Sequence, residues 1–107
     1  MYFSAPKDFK ERELAPGVRL RLAWGEKLMM SFLSFQPNCV VGNHHHPHEQ
    51  MGTVLKGEVE MVIGGKARVV KEGEAYLVPS NVEHSARTFD RPALALDIFS
   101  PPREDYK

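Results

Sequence analysis

The sequence predicts an all-β fold, a single antiparallel β-barrel domain over residues 1–107. Apolar and polar residues alternate with period two in several segments, and glycine, proline and asparagine separate these segments at short intervals. No stretch keeps a convincing helical periodicity. A chain of 107 residues with 42% hydrophobic residues is long enough to close one core, and no linker or repeat divides it.

Eight segments are predicted as strands. The first, Val18 to Trp24, has apolar residues on one face and two arginines on the other, so one face should point inward. The second, Leu28 to Phe35, is apolar almost throughout, and we expect both of its faces to be covered. Gly64-Gly65 predicts a two-residue hairpin loop, because glycine supplies the positive φ of such turns. The remaining predicted strands are 51–56, 58–63, 67–70, 75–78, 84–89 and 93–99.

Composition excludes several classes of partner. Fourteen Lys and Arg balance fourteen Asp and Glu, so no broad positive field exists for nucleic acid or an anionic membrane. We therefore expect a small molecule or another protein chain as partner. Cys39 is the single cysteine, which excludes an internal disulfide and predicts a small buried apolar side chain. No apolar run is long enough for a signal peptide or a membrane span, and a cytoplasmic location is expected.

A histidine run is the densest chemical signal in the chain. Four of the five histidines lie within Asn43–Gln50, and the fifth is His84. The run is internal and is broken by Pro47, unlike a terminal affinity tag. The alternative to a metal site is a solvated polar turn, since His, Pro, Asn and Glu are all common in loops.

Spacing within this run predicts half of a metal site. In an extended chain residues i and i+2 share a face, so His44 and His46 can point into the same interior space. Imidazole pairs suit divalent transition metals, and His84 can add a third nitrogen if its strand lies alongside. Gln50 or Glu49 can add an oxygen, but the intervening proline interrupts the extended backbone, so spacing leaves the oxygen ligand open.

The last predicted strand carries a carboxylate among apolar residues. Asp97 shares a face with Ala95 and Phe99, and it should be at least partly buried. A buried carboxylate needs a partner, so Asp97 is either satisfied by an arginine or a backbone amide, or is a general acid or base with a raised pKa. Arg103, beyond Pro101-Pro102, can fold over a pocket mouth and bind an anion bidentately, or remain a solvated tail residue.

Two motifs in this order resemble those of the cupin superfamily. The first runs from His44-x-His46 to Gly57, and the second from Gly73 through Pro79 to His84, with Asn81 where many cupins carry glycine. The resemblance implies a jelly-roll β-barrel that holds one divalent transition metal (Ni, Zn, Fe, Mn or Cu). The metal ligands that it implies are His44, His46, Gln50 and His84. Gln50 is an amide rather than the usual acidic residue, and Glu49 remains the alternative ligand.

Over nearly its whole length the chain is similar to the small cupins of the KdgF type, most clearly in His44–Gln50 and Asp97–Asp105. That family converts 4,5-unsaturated uronate monosaccharides, from pectin and alginate breakdown, to linear ketonised products. The resemblance implies that Asp97 transfers a proton, Arg103 binds the substrate carboxylate and Phe99 shapes the pocket. The functional residues that it implies are Gln50, Asp97, Phe99 and Arg103.

Other functions remain open at this point, because one fold supports many activities. The alternatives are another metal-dependent cupin enzyme, a dioxygenase or an isomerase, and a non-catalytic sugar- or metal-binding module; a purely structural metal is a further possibility. His45 and His48 are expected at the rim of the pocket. Small cupins resemble one another in forming dimers through their sheets, so a homodimer is expected, with Leu96 and Ile98 on the available face.

Overall fold

Two antiparallel β-sheets face each other across one hydrophobic core in this computed structural model, which describes residues 2–107. Two short 3-10 helices, Pro6–Asp8 and Glu104–Tyr106, lie near the ends of the chain. No α-helix occurs among the described residues, so the all-β prediction is confirmed. The strands are β1 (Lys10–Ala15), β2 (Val18–Trp24), β3 (Met29–Phe35), β4 (Val40–His44), β5 (Glu49–Lys56), β6 (Glu58–Ile63), β7 (Lys66–Lys71), β8 (Ala75–Val78), β9 (His84–Arg87) and β10 (Ala93–Ser100).

The larger sheet has six strands in the order β1-β2-β3-β10-β5-β8, and the smaller has four in the order β4-β9-β6-β7. The last strand, β10, therefore lies inside the larger sheet, between β3 and β5. The chain crosses repeatedly between the two sheets, so strands that are distant in sequence become neighbours in each sheet. This arrangement is a jelly roll. This topology places β10 opposite the β4–β9 pair, across the barrel interior.

The core follows the period-two pattern of the strands. In β2 the inward residues Val18, Leu20 and Leu22 are fully buried, while the arginines between them are exposed. Each such side chain removed from water contributes about 1.5–3 kcal/mol. Most of the buried polar residues line one interior space, and they are Ser31, His46, Gln50, His84, Asp97 and Arg103. The remaining one, Thr88, lies elsewhere and forms hydrogen bonds with the backbone of Cys39 and Gln36.

Two of the observed strands, β1 and β4, were not predicted from the sequence. β1 is an edge strand whose alternating charges, Glu11 and Glu13, pair with Arg19 and Arg21 of β2 rather than with a core. Because neither of its faces is fully buried, it lacks the apolar alternation that identifies a strand. β4 likewise is mostly exposed and contains Gly42 and Asn43, so it looks like a loop in sequence.

Within a single chain, the expectation that both faces of the second predicted strand are covered is wrong. In β3 the outward residues Met30 and Ser34 are exposed, and Phe32 is only half-buried, stacked on Phe9 at 5.5 Å between ring centroids. The outer face of the larger sheet carries exposed apolar residues, so an apolar run in this strand does not predict that both faces are buried. Trp24, expected inward, is also exposed because it ends β2.

The predicted turns and the cysteine are confirmed. Gly64 and Gly65 have φ of 56° and 80° in the β6–β7 hairpin, and Asn81 has φ of 64°, a conformation that asparagine tolerates. Cys39 is buried in the core. No helix within residues 2–107 is both long enough and apolar enough to cross a membrane.

Candidate active site

Three histidines meet at the open end of the barrel. His44 ends β4 and His84 begins β9, and the two residues are direct partners in the β4–β9 register. His46 follows in the β4–β5 connection and turns its ring toward both, with centroids 4.9 Å from His84 and 5.9 Å from His44. One nitrogen from each ring lies within 4.8 Å of the other two. The expected i, i+2 arrangement therefore places both rings of the run beside His84.

Each imidazole is oriented by a backbone carbonyl. The Nδ1 atoms of His44, His84 and His46 lie 2.8, 2.9 and 3.1 Å from the carbonyl oxygens of Gly42, Val82 and His48. A proton on Nδ1 is donated to each carbonyl and leaves Nε2 as a lone-pair donor, the pattern usual for metal-binding histidines. Nε2 of His84 is buried and has no hydrogen-bond partner. A cation at the centre of the three rings would satisfy it.

Burial lowers the pKa of His46 and of His84 and so favours their neutral form, which is the form that binds metal. Burial, together with the neighbouring Arg103 and His84, lowers the pKa of His46 to about 4. Burial also lowers the pKa of His84, with a smaller contribution from His44. At neutral pH His46 and His84 therefore each present an unprotonated nitrogen.

The structure separates the two candidates for the oxygen ligand. Gln50 is only 4% exposed and points into the barrel, whereas Glu49 faces solvent. The Gln50 amide oxygen lies 3.0 Å from Nε2 of His46, and its nitrogen donates to Oδ2 of Asp97 at 2.9 Å. With the proton of His46 on Nδ1, Nε2 and the amide oxygen turn lone pairs toward the same space, as two ligands of one cation do. The residues present thus fit a divalent metal.

The other two histidines of the run lie outside this cluster. His45 is exposed. His48 is half-buried, its ring is 5.4 Å from that of His46, and its Nδ1 is buried without a hydrogen-bond partner. Both residues thus lie at the periphery of the three-ring cluster.

Asp97 lies on the inner face of β10, only 5% exposed. The Tyr76 hydroxyl donates to its Oδ1 and the Gln50 amide donates to its Oδ2. Burial raises the pKa of Asp97 to about 7, against the opposing effects of the two hydrogen bonds and of the Arg103 charge. A carboxyl with such a pKa is present in both protonation states near neutrality, as a group that transfers protons must be. Of the two alternatives left open by the sequence, the one with an arginine or backbone amide as partner is not found, since the partners are a phenol and a side-chain amide.

Arg103 folds back from the tail and is buried, lining the same interior. Its Nε and Nη2 donate to the two oxygens of Asp105 at 3.2 and 2.8 Å, and Nη1 donates to the Tyr106 hydroxyl at 2.9 Å. The guanidinium lies over the Tyr106 ring at 3.9 Å and over the Phe99 ring at 5.3 Å from the centroids. Arg103 is therefore not a solvated tail residue, and it forms a bidentate pair with a carboxylate of the same chain.

The interior bounded by these side chains is small. Its free space is about 30 Å³, room for about one water molecule and far below the roughly 300–1,000 Å³ of pockets for drug-sized ligands. Phe99 closes one side, edge-on to His46 at 5.6 Å. A sugar-sized ligand therefore requires a lining segment to move, and the tail that carries Arg103 is one side of this lining.

Sequence reasoning missed four residues of this site: Ser31, Tyr76, Asp105 and Tyr106. Ser31 is buried opposite Asp97 in the β3–β10 register, and its hydroxyl has no hydrogen-bond partner. A polar residue at an inward position of a predicted strand is the signal that could have found it. The Asp105 and Tyr106 contacts depend on a reversal of the tail that no sequence pattern indicates.

Comparisons with known proteins agree with this geometry. The family described as "Cupin domain" (Cupin_2) matches residues 31–99. The chain is 32% identical over 96 residues to the pectin degradation protein KdgF of Dickeya dadantii, covering 88% of this chain and 87% of that one. The solved structure of KdgF from Halomonas sp. superposes with a TM-score of 0.90 at 28% identity, covering 100% of this chain and 99% of the other.

A second solved structure, an RmlC-like cupin from Shewanella frigidimarina, superposes with a TM-score of 0.91 at 26% identity over 100% of this chain and 96% of its own. Both structural likenesses extend over the whole barrel, including the β10 strand and the tail. The chain therefore belongs to the cupin family and, within it, to the small cupins of the KdgF type.

Proposed function

We propose that this cupin is a metal-dependent enzyme of uronate breakdown. It converts the 4,5-unsaturated uronate monosaccharides released by pectin or alginate lyases to their linear ketonised form. One observation carries the proposal: the Gln50 amide joins the three-histidine cluster to a buried carboxyl, since its oxygen faces His46 and its nitrogen holds Asp97. The likeness to a pectin degradation protein selects the substrate class.

The metal is proposed to be held by three imidazoles and one amide oxygen. Its ligands are His44, His46, Gln50 and His84. A divalent transition metal with these uncharged ligands supplies Lewis acidity that polarises oxygens of the sugar. Nickel, zinc, iron, manganese and copper all accept such a ligand set. The exposed side chain of Glu49 argues against that residue as the alternative ligand.

Asp97 is proposed to move the proton. The substrate is a cyclic enol ether closed by a hemiacetal. As the ring opens, the hemiacetal hydroxyl loses a proton, the bond from C1 to the ring oxygen breaks, and its electron pair stays on that oxygen. C1 becomes an aldehyde and C5 an enolate, which gains a proton at C4 and becomes a ketone. One proton leaves and one enters, so the product is an isomer, and a carboxyl such as Asp97 can serve both transfers.

Arg103 is proposed to bind the substrate carboxylate. Its guanidinium already forms a bidentate pair with a carboxylate in the structure, that of Asp105. A uronate carboxylate has the same fork of two oxygens and can take the same place. Phe99 and the Tyr106 ring flank the guanidinium and fix its plane. The sugar would then lie between Arg103 and the histidines, against Phe99.

The test is turnover of unsaturated galacturonate monosaccharide, followed as loss of the conjugated-alkene absorbance, with metal analysis of the same protein. The wild type should consume the substrate and form the linear ketone. Asp97→Asn should lose about 10²–10⁴-fold of the turnover, the usual contribution of a placed proton-transfer group, and keep its metal. Asp90→Asn, the same change at an exposed position, is the control.

Three results would contradict the proposal. Full activity of Asp97→Asn would remove the acid–base assignment. Tight binding of the sugar acid by the wild type without any chemical change would show a binding module instead of an enzyme. Oxygen consumption with an iron-loaded protein and no uronate turnover would point to a dioxygenase.

We also propose a homodimer that forms through the outer face of the larger sheet. One row of cross-strand neighbours runs across this face from Ala23 through Met30, Ile98 and Met51 to Leu77. The last four of these apolar side chains are 38–53% exposed. A two-fold axis through this row would cover each residue with an apolar surface of the second copy.

Light scattering measures this state directly. The wild type should have twice the mass of one chain, and a lysine replacing Ile98 at the centre of the row should yield the single-chain mass. Ala67→Lys, at an exposed position of the smaller sheet, should leave the mass of the assembly unchanged. A wild type with the mass of one chain would refute the dimer.

A further inference from the structure

A row of three residues crosses the inner face of the larger sheet at the candidate acid–base group. In the strand register Asp97 of β10 is opposite Gly52 of β5, and Gly52 is opposite Tyr76 of β8. Adjacent strands lie about 4.8 Å apart, so the backbones that carry the aspartate and the tyrosine are separated by about 10 Å. The middle position of the row has no side chain.

That glycine provides space. Its backbone is not in the left-handed region, so no turn requires a glycine there. A Cβ built on Gly52 would lie 2.2 Å from Oδ1 of Asp97 and 2.3 Å from Cζ of Tyr76. Any side chain at residue 52 would therefore occupy the volume in which the phenol meets the carboxyl. The tyrosine reaches across β5 only because of this gap.

The phenol completes the hydrogen bonding of the carboxyl. Oδ2 of Asp97 accepts from the Gln50 amide at 2.9 Å, and Oδ1 accepts from the Tyr76 hydroxyl. The two donors approach from different strands, β5 and β8, and together they fix the plane of the carboxyl. A phenol does so without adding a charge, and burial raises the pKa of Tyr76 well above its usual value, so the hydroxyl remains a donor.

We propose that Tyr76, admitted through the gap at Gly52, is a positioning residue that holds the Asp97 carboxyl in the plane required for proton transfer. The inference rests on the proposed function, in which Asp97 is the proton-transfer group. Tyr76 acts through this carboxyl and makes no contact with the sugar in the proposed arrangement. Removing the hydroxyl frees one oxygen of the carboxyl and lets it rotate about its bond to Cβ.

A purely structural role for Tyr76 makes different predictions. The ring is partly buried against the core, and Tyr76→Phe keeps the ring and its packing but removes the hydrogen bond to Asp97. If Tyr76 only stabilised the fold, loss of this hydrogen bond would lower thermal stability and leave the turnover number unchanged. A positioning role places the loss in kcat, because the geometry of the transfer is impaired while the sugar still binds.

The experiment is a double-mutant cycle with Tyr76→Phe, Asp97→Asn and the double variant, each assayed with the unsaturated galacturonate monosaccharide. Tyr76→Phe should lower kcat by up to about 10²-fold, the cost of a misplaced reacting group, with KM and metal content unchanged. In the Asp97→Asn background, Tyr76→Phe should lower kcat no further, since that variant has no proton-transfer carboxyl for the tyrosine to position. Tyr2→Phe, at an exposed site, is the control for the substitution itself.

A structure of the Tyr76→Phe variant supplies a readout that does not depend on activity. The Asp97 side chain should change its torsion or occupy more than one position, whereas its backbone should stay in register. Gly52→Ala should produce the same loss of kcat by displacing the phenol. If Gly52→Ala fails to fold, Tyr76→Phe decides alone.

The outcomes separate this inference from the proposed function. Wild-type kcat in Tyr76→Phe, or an equal loss in both backgrounds of the cycle, would overturn the positioning role and leave the proposed function standing. Wild-type turnover in Asp97→Asn, or no turnover by the wild type, would overturn the proposed function and this inference with it.

Discussion

The two ends of the candidate site differ in what holds their functional groups. At the histidine end, three backbone carbonyls accept from Nδ1 of His44, His46 and His84, and the nitrogens that face inward are free of protein donors. At the tail end, every donating nitrogen of Arg103 already has a partner, in Asp105 or Tyr106. The histidine end has oriented nitrogens available to a ligand, whereas at the tail end the guanidinium is already paired with a carboxylate of the same chain.

This difference predicts how each end responds to its ligand. The rings of the histidine cluster are already oriented by backbone carbonyls, so a metal bound there would displace no protein donor. A substrate carboxylate that binds Arg103 must replace Asp105. The tail that carries both residues must also move, since the interior has room for only about one water molecule. Under the proposed function, binding of the sugar would exchange one carboxylate for another at Arg103.

The largest effect is expected from the histidine end. His84→Ala should lower metal affinity by more than the 10–100-fold typical of losing an outer-shell partner, because a ligand itself is removed, and turnover should fall with it. Metal analysis and thermal melting with and without added metal measure this. The wild type should melt higher when metal is present, by mass action, and the variant should not.

His45→Ala is the matched control, since His45 belongs to the same run but lies outside the cluster and is exposed. It should keep wild-type metal content. A His84→Ala variant that still binds one metal per chain with wild-type affinity would mean that the three rings do not form the site.

An intermediate effect is expected at the tail end. Arg103→Met keeps much of the side-chain length and removes the charge, so kcat/KM should fall by on the order of 10²-fold, in line with the 2–5 kcal/mol lost when a buried charge pair is broken. The loss should appear in KM, with metal content unchanged. Arg68→Met, at an exposed position, is the control.

A neutral substrate analogue sharpens this result. The wild type should prefer the free uronate to its methyl ester, and Arg103→Met should have lost that preference. An unchanged preference would assign the carboxylate to another group of the chain.

How far the sequence predicts this molecule depends on which contacts are local. His44 and His46 share a face because of an i, i+2 rule that holds in any extended chain, and the alternation of Val18 to Leu22 gives the inward face of β2. The pairing of His84 with His44 required the family motif, because register between β4 and β9 has no local signature. Gln50 points inward and Glu49 outward because of the direction of the chain after the proline, which spacing could not predict.

The contacts that sequence reasoning could not reach are those that depend on the sheet as a whole. Nothing in the sequence pattern distinguishes Gly52 and Tyr76. Their contact with Asp97 depends on the position of β5 between β8 and β10 in the sheet. The outer face of β3 was wrongly expected to be covered, since periodicity does not distinguish a buried face from an exposed apolar one. The Arg103–Asp105 pair needs the tail to fold back, which alternation and turn rules do not describe.

The smallest effect is expected from Asp105→Asn. This variant tests most directly whether the tail end, unlike the histidine end, must release a protein group before its ligand binds. The Asp105 side chain is 58% exposed, and a pair of this kind contributes about 0–1 kcal/mol, so removing its charge should lower KM by at most about fivefold. The kcat should not change. Since Arg103 holds the pKa of Asp105 below its usual value, the competing carboxylate is ionised throughout the neutral range, and the effect should not vary with pH there.

Glu104→Gln is the matched control, because Glu104 is the adjacent exposed carboxylate and pairs with Lys107 rather than with Arg103. It should leave KM unaltered. A rise in KM for Asp105→Asn would have the opposite meaning to a fall. It would show that Asp105 holds Arg103 in the orientation that receives the substrate, and the tail end would then be prepared for its ligand in the same way as the histidine end.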